Sequence, residues 1–165
     1  MTYVLDANVF IQAKNLHYGF DFCPAFWSWL DEQRTAENVF SIERVYDELR
    51  AGTDDLASWV EARQDFFLRP DASIVPSLQA TSQWAASGSY DPAAVNTFLQ
   101  VGDYYLVAHA HAKAFTVVTH EIAANSTKKI KIPDACIALG IKCVTPYAML
   151  RSERARFVLE RRAEP

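Results

Sequence analysis

Apolar and polar positions alternate along this chain in short blocks that switch repeatedly between strand and helix periodicity. Tyr3-Val4-Leu5 is an unbroken apolar run interrupted by Asp6-Ala7-Asn8 and resumed by Val9-Phe10-Ile11, which predicts a first strand passing into a loop or helix. The first carboxylate therefore stands where a strand ends. Asn38-Val39-Phe40-Ser41 predicts a second short strand, and Ser41 is placed to cap a following helix with the apolar stripe Ile42, Val45, Tyr46, Leu49 and a stop at Gly52. Further helices are expected from Asp54 through Phe67 and over Ser77–Ala86. Asp91-Pro92 is a helix start, and Val95, Phe98, Leu99, Leu106 and Ala110 recur at helical spacing, so one helix is expected to run to about Lys113.

The β-branched and aromatic run Phe115–Thr119 has the composition of a fully buried parallel strand, and the polar turn His120–Lys129 follows it. Pro133 opens a short helix ending near Gly140, Lys142–Thr145 is a last strand, and Tyr147–Arg162 reads as an arginine-rich closing helix. Strands alternating with helices imply an α/β fold with a parallel sheet covered on both faces, in which sites form beyond the carboxyl ends of the strands.

A length of 165 residues, 50% of them hydrophobic, supplies one sizeable core and predicts a single domain over residues 1–165. No run approaches the roughly 20 apolar residues needed to cross a bilayer, and Met1–Asp6 lacks a leader pattern, so no membrane association and a cytoplasmic location are expected. Cys23, Cys136 and Cys143 have neither the number nor the spacing of a disulfide framework or zinc knuckle, and are read as buried thiols. The net charge of −4 hides an asymmetry: residues 1–112 carry 15 acidic side chains against 6 basic, whereas residues 113–165 carry 5 against 10. An acidic centre beside a basic, phosphate-contacting third explains this, as does a solvated tail bearing Arg151, Arg154, Arg156, Arg161 and Arg162.

Candidate chemistry lies in carboxylates at particular structural positions. Asp6 follows the first strand, where it serves equally as a ligand or a turn-former. Glu48 borders the apolar stripe of its helix while Glu43 and Asp47 face further out, so it either reaches a cleft or flanks the core in solvent. Asp103 lies close to the buried stripe of the long helix, with no lysine or arginine between Arg69 and Lys113 to compensate it locally. Glu121 emerges two residues after a strand, with the Thr119 hydroxyl nearby, and Asp134 is either a fifth acid or a residue that complements a helix dipole. Hard divalent cations such as Mg²⁺ or Mn²⁺ take oxygen ligands of this kind.

In sequence order, Val4-Leu5-Asp6-Ala7-Asn8, Val45-Tyr46-Asp47-Glu48-Leu49, Gly102-Asp103-Tyr104-Tyr105-Leu106-Val107-Ala108 and Val117-Val118-Thr119-His120-Glu121 resemble the PIN-domain family, including VapC-like toxin ribonucleases. The resemblance implies a three-layer α/β/α sandwich with a central parallel sheet, Mg²⁺ or Mn²⁺, and endonucleolytic cleavage of RNA. Carried over position by position, Asp6, Glu48, Asp103 and Glu121 would be catalytic, metal-holding acids, with Asn8 and Thr119 assisting. The family usually has Asp where Glu121 stands, which leaves Asp134 as an alternative ligand, and Ile130–Cys136 looks like a PIN-like subgroup of uncharacterised function. A toxin would imply a homodimer and an antitoxin partner.

Other classes fit less well. There is no Gly-x-Ser-x-Gly elbow for a serine hydrolase and no glycine-rich phosphate loop. His109 and His111 are two apart on a helix and point to different faces, which argues against a shared zinc site, and His120 either assists at the cleft or lies on the surface. Phe20, Phe22, Phe26, Trp27 and Trp29 suit core or interface packing better than base stacking. The remaining competitor is a catalytically silent PIN-like module that binds RNA or a protein partner.

Overall fold

A computed structural model describes residues 1–161. Strand β1 (Tyr3–Leu5) is wholly buried and lies at the centre of a five-stranded parallel sheet. On one side it pairs with β2 (Val39–Ile42), Tyr3 opposite Val39, and β2 pairs with β3 (Phe67–Leu68). On the other side it pairs with β4 (Thr116–Val118), Tyr3 opposite Thr116, and β4 pairs with β5 (Cys143–Val144).

The order β3-β2-β1-β4-β5 means that the chain walks outward from β1 in one direction, returns across the sheet, and continues in the other. Right-handed crossovers turn that reversal into helices on both faces. Helices α1 (Ala7–Gln12), α2 (Pro24–Thr35), α3 (Glu43–Arg50) and α4 (Asp55–Glu61) belong to the first walk, and α3 packs on both α1 and α4. Helices α5 (Val75–Ser87), α6 (Pro92–Gln100), α7 (Gly102–Lys113) and α8 (Ile132–Leu139) belong to the return, with α5 packed on α6, α7 and α8. The result is a three-layer α/β/α sandwich. A last helix, α9 (Pro146–Ser152), starts beyond β5, where Thr145 Oγ1 accepts a hydrogen bond from Ala148 N at 3.2 Å. Among the described residues no helix is long and apolar enough to cross a membrane.

Several local expectations yield to tertiary packing. Ser41 does not cap α3; it lies within β2, fully buried, and donates its hydroxyl to the Leu5 carbonyl at 2.6 Å. The helix expected over Asp54–Phe67 ends at Glu61, because Phe66 and Phe67 are buried and Phe67 pairs with Ser41 as part of β3. The helix expected from Asp91 to Lys113 is two helices, broken at Val101, whose extended backbone (φ −105°, ψ 167°) ends α6 and precedes α7.

The closing helix stops at Ser152 rather than reaching Arg162, which lies outside the described residues. The chain beyond it turns through Arg154 at φ 54°, and Phe157 folds back with its ring 5.7 Å from Tyr18 and 6.1 Å from Phe26. Burying one aromatic ring outweighs the helix propensity of the exposed arginines around it. Of the three cysteines only Cys136 is fully buried; Cys23 and Cys143 are half-buried. Of the N-terminal aromatic segment, Phe26, Trp27 and Trp29 are buried on α2, whereas Phe20 and Phe22 precede that helix and Phe22 is 66% exposed.

The Ser41–Leu5 hydrogen bond ties β2 to the end of β1, one residue before Asp6. Ser41→Ala should lower stability by about 1 kcal/mol and the melting temperature by about 2–4 °C. Thermal unfolding followed by circular dichroism measures this, and an unchanged midpoint would show that the hydroxyl contributes nothing there.

Candidate functional site

The sheet order reverses direction between β1 and β4, and in open α/β sheets such a switch point opens a crevice beyond the carboxyl ends of the strands. Asp6 is the first residue beyond β1 and Thr119 the first beyond β4. The Asp6 amide donates to the Val118 carbonyl at 3.0 Å, which fixes its backbone between the two strands. The Asp6 side chain, 7% exposed, makes no capping bond to α1 and instead accepts from the Thr119 hydroxyl at 2.8 Å.

That hydroxyl is saturated. Besides donating to Asp6 it accepts from Asn8 Nδ2 at 3.2 Å and from the Glu121 amide at 3.0 Å, the one donation and two acceptances available to it. Asn8 Oδ1 in turn accepts from the His120 amide at 3.2 Å. Asp6, Asn8 and Thr119 thus form one interlocked unit across the strand junction, and Thr119 positions Asp6 rather than facing solvent.

Asp103 reaches the same region from the opposite layer. The break at Val101 places it in the first turn of α7, where the helix dipole favours a negative charge. Burial, then the neighbouring charges of Glu121 and Glu48, push its carboxyl up to about 6, and only Lys129 among its influential neighbours pulls it down. Asp6 is pushed up to about 7, first by burial, then by Asp103 and with a smaller push from Glu121, against the opposing Thr119 hydrogen bond. Asp6 thus feels Asp103 and Glu121, and Asp103 feels Glu121 and Glu48, although the four acids are spread from residue 6 to residue 121 of the chain.

The other candidates divide. Glu48 is exposed on α3, yet the surrounding protein still raises its carboxyl. Glu121 is half-buried and turns one oxygen away: its Oε2 accepts from the Ile132 amide at the start of α8 at 2.8 Å. Asp134 serves the loop instead, accepting from the Ala124 amide at 3.1 Å, and its charge is felt by Tyr90. His120 is half-buried, its ring 5.4 Å from that of His17 and 5.7 Å from that of Tyr147, and burial followed by the nearby His17 lowers its pKa. His17 arrives there through a π-helical turn, Ala13–His17, that extends α1. His109 is buried and His111 exposed, so the two do face apart.

Among the described residues, no three of the Asp, Glu, His and Cys side chains are gathered as a ready-made metal cage. The donor chemistry nevertheless fits a hard divalent cation: the ligands on offer are carboxylates, with Asp6 and Asp103 both raised first by burial and then by neighbouring acids. Mg²⁺ is commonly held by only one or two carboxylates, with water and substrate phosphate filling the other positions.

Lys129, which offsets Asp103, was hidden from the linear pattern because it lies 26 residues downstream in a polar turn. Its recurrence beside Lys128 and Lys131 is the signal that would have marked the turn as more than a connection.

Residues 3–157 match a family described as Domain of unknown function (DUF4411). No curated protein matches the chain. Its fold is similar to that of a chain in the crystal structure of VapBC2 from Rickettsia felis bound to a DNA fragment from their promoter, with a TM-score of 0.55 and 14% identity over 88% of this chain and 98% of that one. At that identity the likeness is one of fold.

The raised carboxyls carry a stability signature. A folded-state pKa above the ordinary 3.8 means that ionising Asp6 costs more in the folded than in the unfolded state. Its contribution is intact below pH about 4 and is lost as pH rises through about 7. In EDTA, Asp6→Asn should therefore melt above the parent at pH 8, by a difference on the order of 1–4 kcal/mol, with the gap closing towards pH 4. A gap that stays constant from pH 4 to 8 would contradict the raised pKa.

Proposed function

We infer that this chain, which belongs to the DUF4411 family of domains of unknown function, is a PIN-like metal-dependent endoribonuclease and the toxin of a toxin–antitoxin pair. The observation that carries the reading is the buried Asp6 carboxylate at the switch point, raised by the charge of Asp103, with the exposed Lys129 alone offsetting Asp103 among the described residues that act on it. Carboxylates buried beside like charge with so little compensation are costly, and a divalent cation removes that cost.

In this reading Asp6 and Asp103 hold Mg²⁺ or Mn²⁺, and Glu48 and Glu121 act from its edge, Glu121 with the oxygen that Ile132 leaves free. Thr119 keeps the Asp6 carboxylate aimed and Asn8 keeps Thr119 aimed. Asp134 braces the loop and takes no part in holding the ion. The ion, when bound, supplies Lewis-acid stabilisation of the charge that builds on the phosphate during cleavage.

The antitoxin partner rests on the likeness to a chain of VapBC2. A homodimer is part of the same proposal, and light scattering at tens of micromolar should give twice the monomer mass of 18.6 kDa, a monomer counting against it. One observation favours a second reading, a silent RNA- or protein-binding module: the acids do not by themselves form a three-ligand cage among the described residues.

Cleavage separates the two. Purified protein with Mn²⁺ should cut single-stranded RNA, EDTA should abolish the cutting, and Asp6→Asn and Asp103→Asn should each reduce it by about 10²-fold or more while remaining folded. Cutting that survives in both variants would refute the assignment of the acids, and folded wild-type protein that cuts no RNA with Mn²⁺ would favour the silent module.

A further inference from the structure

A cleft of about 260 Å³ opens beside Asp103, between α6 and the segment leading into α8. Its floor is apolar, formed by the buried Phe98 and Ile130, and Val101, 39% exposed, stands at its edge. One wall is the exposed face of α6 carrying Ala93 and Thr97, four residues apart and therefore on the same side of the helix. The opposite wall carries the exposed Lys128 and Lys129.

This arrangement is braced. The Asp91 amide at the start of α6 donates to the Thr127 carbonyl at 2.8 Å, joining the two walls directly. Ala124 and Ile132 are held by Asp134 and Glu121, at 3.1 and 2.8 Å, on either side of the lysines. The volume falls just below the roughly 300–1,000 Å³ of sites for drug-sized ligands, which suits one ring system rather than two.

Building on the ribonuclease reading, we propose that this cleft is a nucleotide subsite: it takes one base of single-stranded RNA beside the cleaved phosphate, and Lys128 and Lys129 contact the adjoining backbone phosphate. Charge complementarity selects this occupant. An apolar slot alone would accept any flat or aliphatic group, but two lysines at its rim, next to an acidic centre that must receive a phosphodiester, match a base joined to a phosphate. The break at Val101 creates the site, since a continuous helix from Pro92 to Lys113 would carry Asp103 away from the α6 face.

Binding tests this independently of catalysis. In EDTA and an Asp6→Asn background, where no cutting occurs, the affinity of a fluorescein-labelled single-stranded RNA pentamer is measured by anisotropy for the protein with and without Ala93→Phe, Thr97→Trp or Lys128→Gln/Lys129→Gln. Ala93 and Thr97 are exposed, so the larger side chains fill the cleft without entering the core.

Each cleft-filling change should weaken binding about tenfold or more. Removing one particular base of the pentamer should weaken binding to the open cleft but not to the filled one. The double lysine change should lower the salt dependence by about one to two counterions.

Equal affinity in the filled and open clefts, or no measurable RNA binding at all, overturns the subsite. The ribonuclease reading is judged separately by the Mn²⁺-dependent cutting of the otherwise unaltered chain. If filling the cleft leaves RNA binding intact but abolishes capture of a co-expressed protein, the cleft belongs to a protein partner and the proposal fails.

Discussion

The hydrogen bond from Thr119 to the buried Asp6 carboxylate holds together the two halves of the chain at the point where the sheet changes direction. Each residue ends a central strand, and each is locked by its own strand's ladder. A carboxylate only 7% exposed must be satisfied or neutralised, and here one hydroxyl, itself oriented by Asn8 and the Glu121 amide, is all that the side chains of the described residues donate to it. The fold thus retains an acid it only partly compensates, the kind of local cost that concentrates at functional sites.

Electrostatics makes the incompleteness more pronounced. Asp103 arrives from the opposite helical layer, Glu121 from the loop after β4 and Glu48 from α3, so three layers of the sandwich contribute negative charge to one crevice. Basic groups stand at its edge rather than inside it. The partition of charge along the chain, negative before residue 113 and positive after it, becomes in three dimensions an acidic crevice with Lys129 at its border. Arg154, Arg156 and Arg161 are exposed, as in a solvated tail, while the ring of Phe157 and the hydrogen bond from the Tyr3 hydroxyl to Glu153 anchor the segment after α9.

The loop between β4 and α8 connects these features. Glu121 spends one carboxylate oxygen on the first amide of α8 and Asp134 spends one on Ala124, so two acids that looked like rivals for the same position instead brace the two ends of one loop. That bracing holds Lys128 and Lys129 against the α6 wall. Acidic loop chemistry and the basic rim are therefore parts of one arrangement.

The sequence by itself determined the alternation of strands and helices, the parallel sheet, and the placing of Asp6 and Glu121 at strand ends, because apolar periodicity and turn residues are local properties that burial then reinforces. It also singled out Asp103 as a carboxylate lacking a local cation. Only the tertiary structure decided that Ser41 would serve the Leu5 carbonyl instead of a helix start, that Phe66 and Phe67 would leave a helix for the sheet, and that the chain would break at Val101. Each of these exchanges a local preference for contacts with residues distant in the chain, and such contacts leave no periodic trace. The meeting of Asp6 with Thr119, 113 residues later, belongs to the same class: it follows from which strands lie side by side, and that order is set by how the whole chain packs.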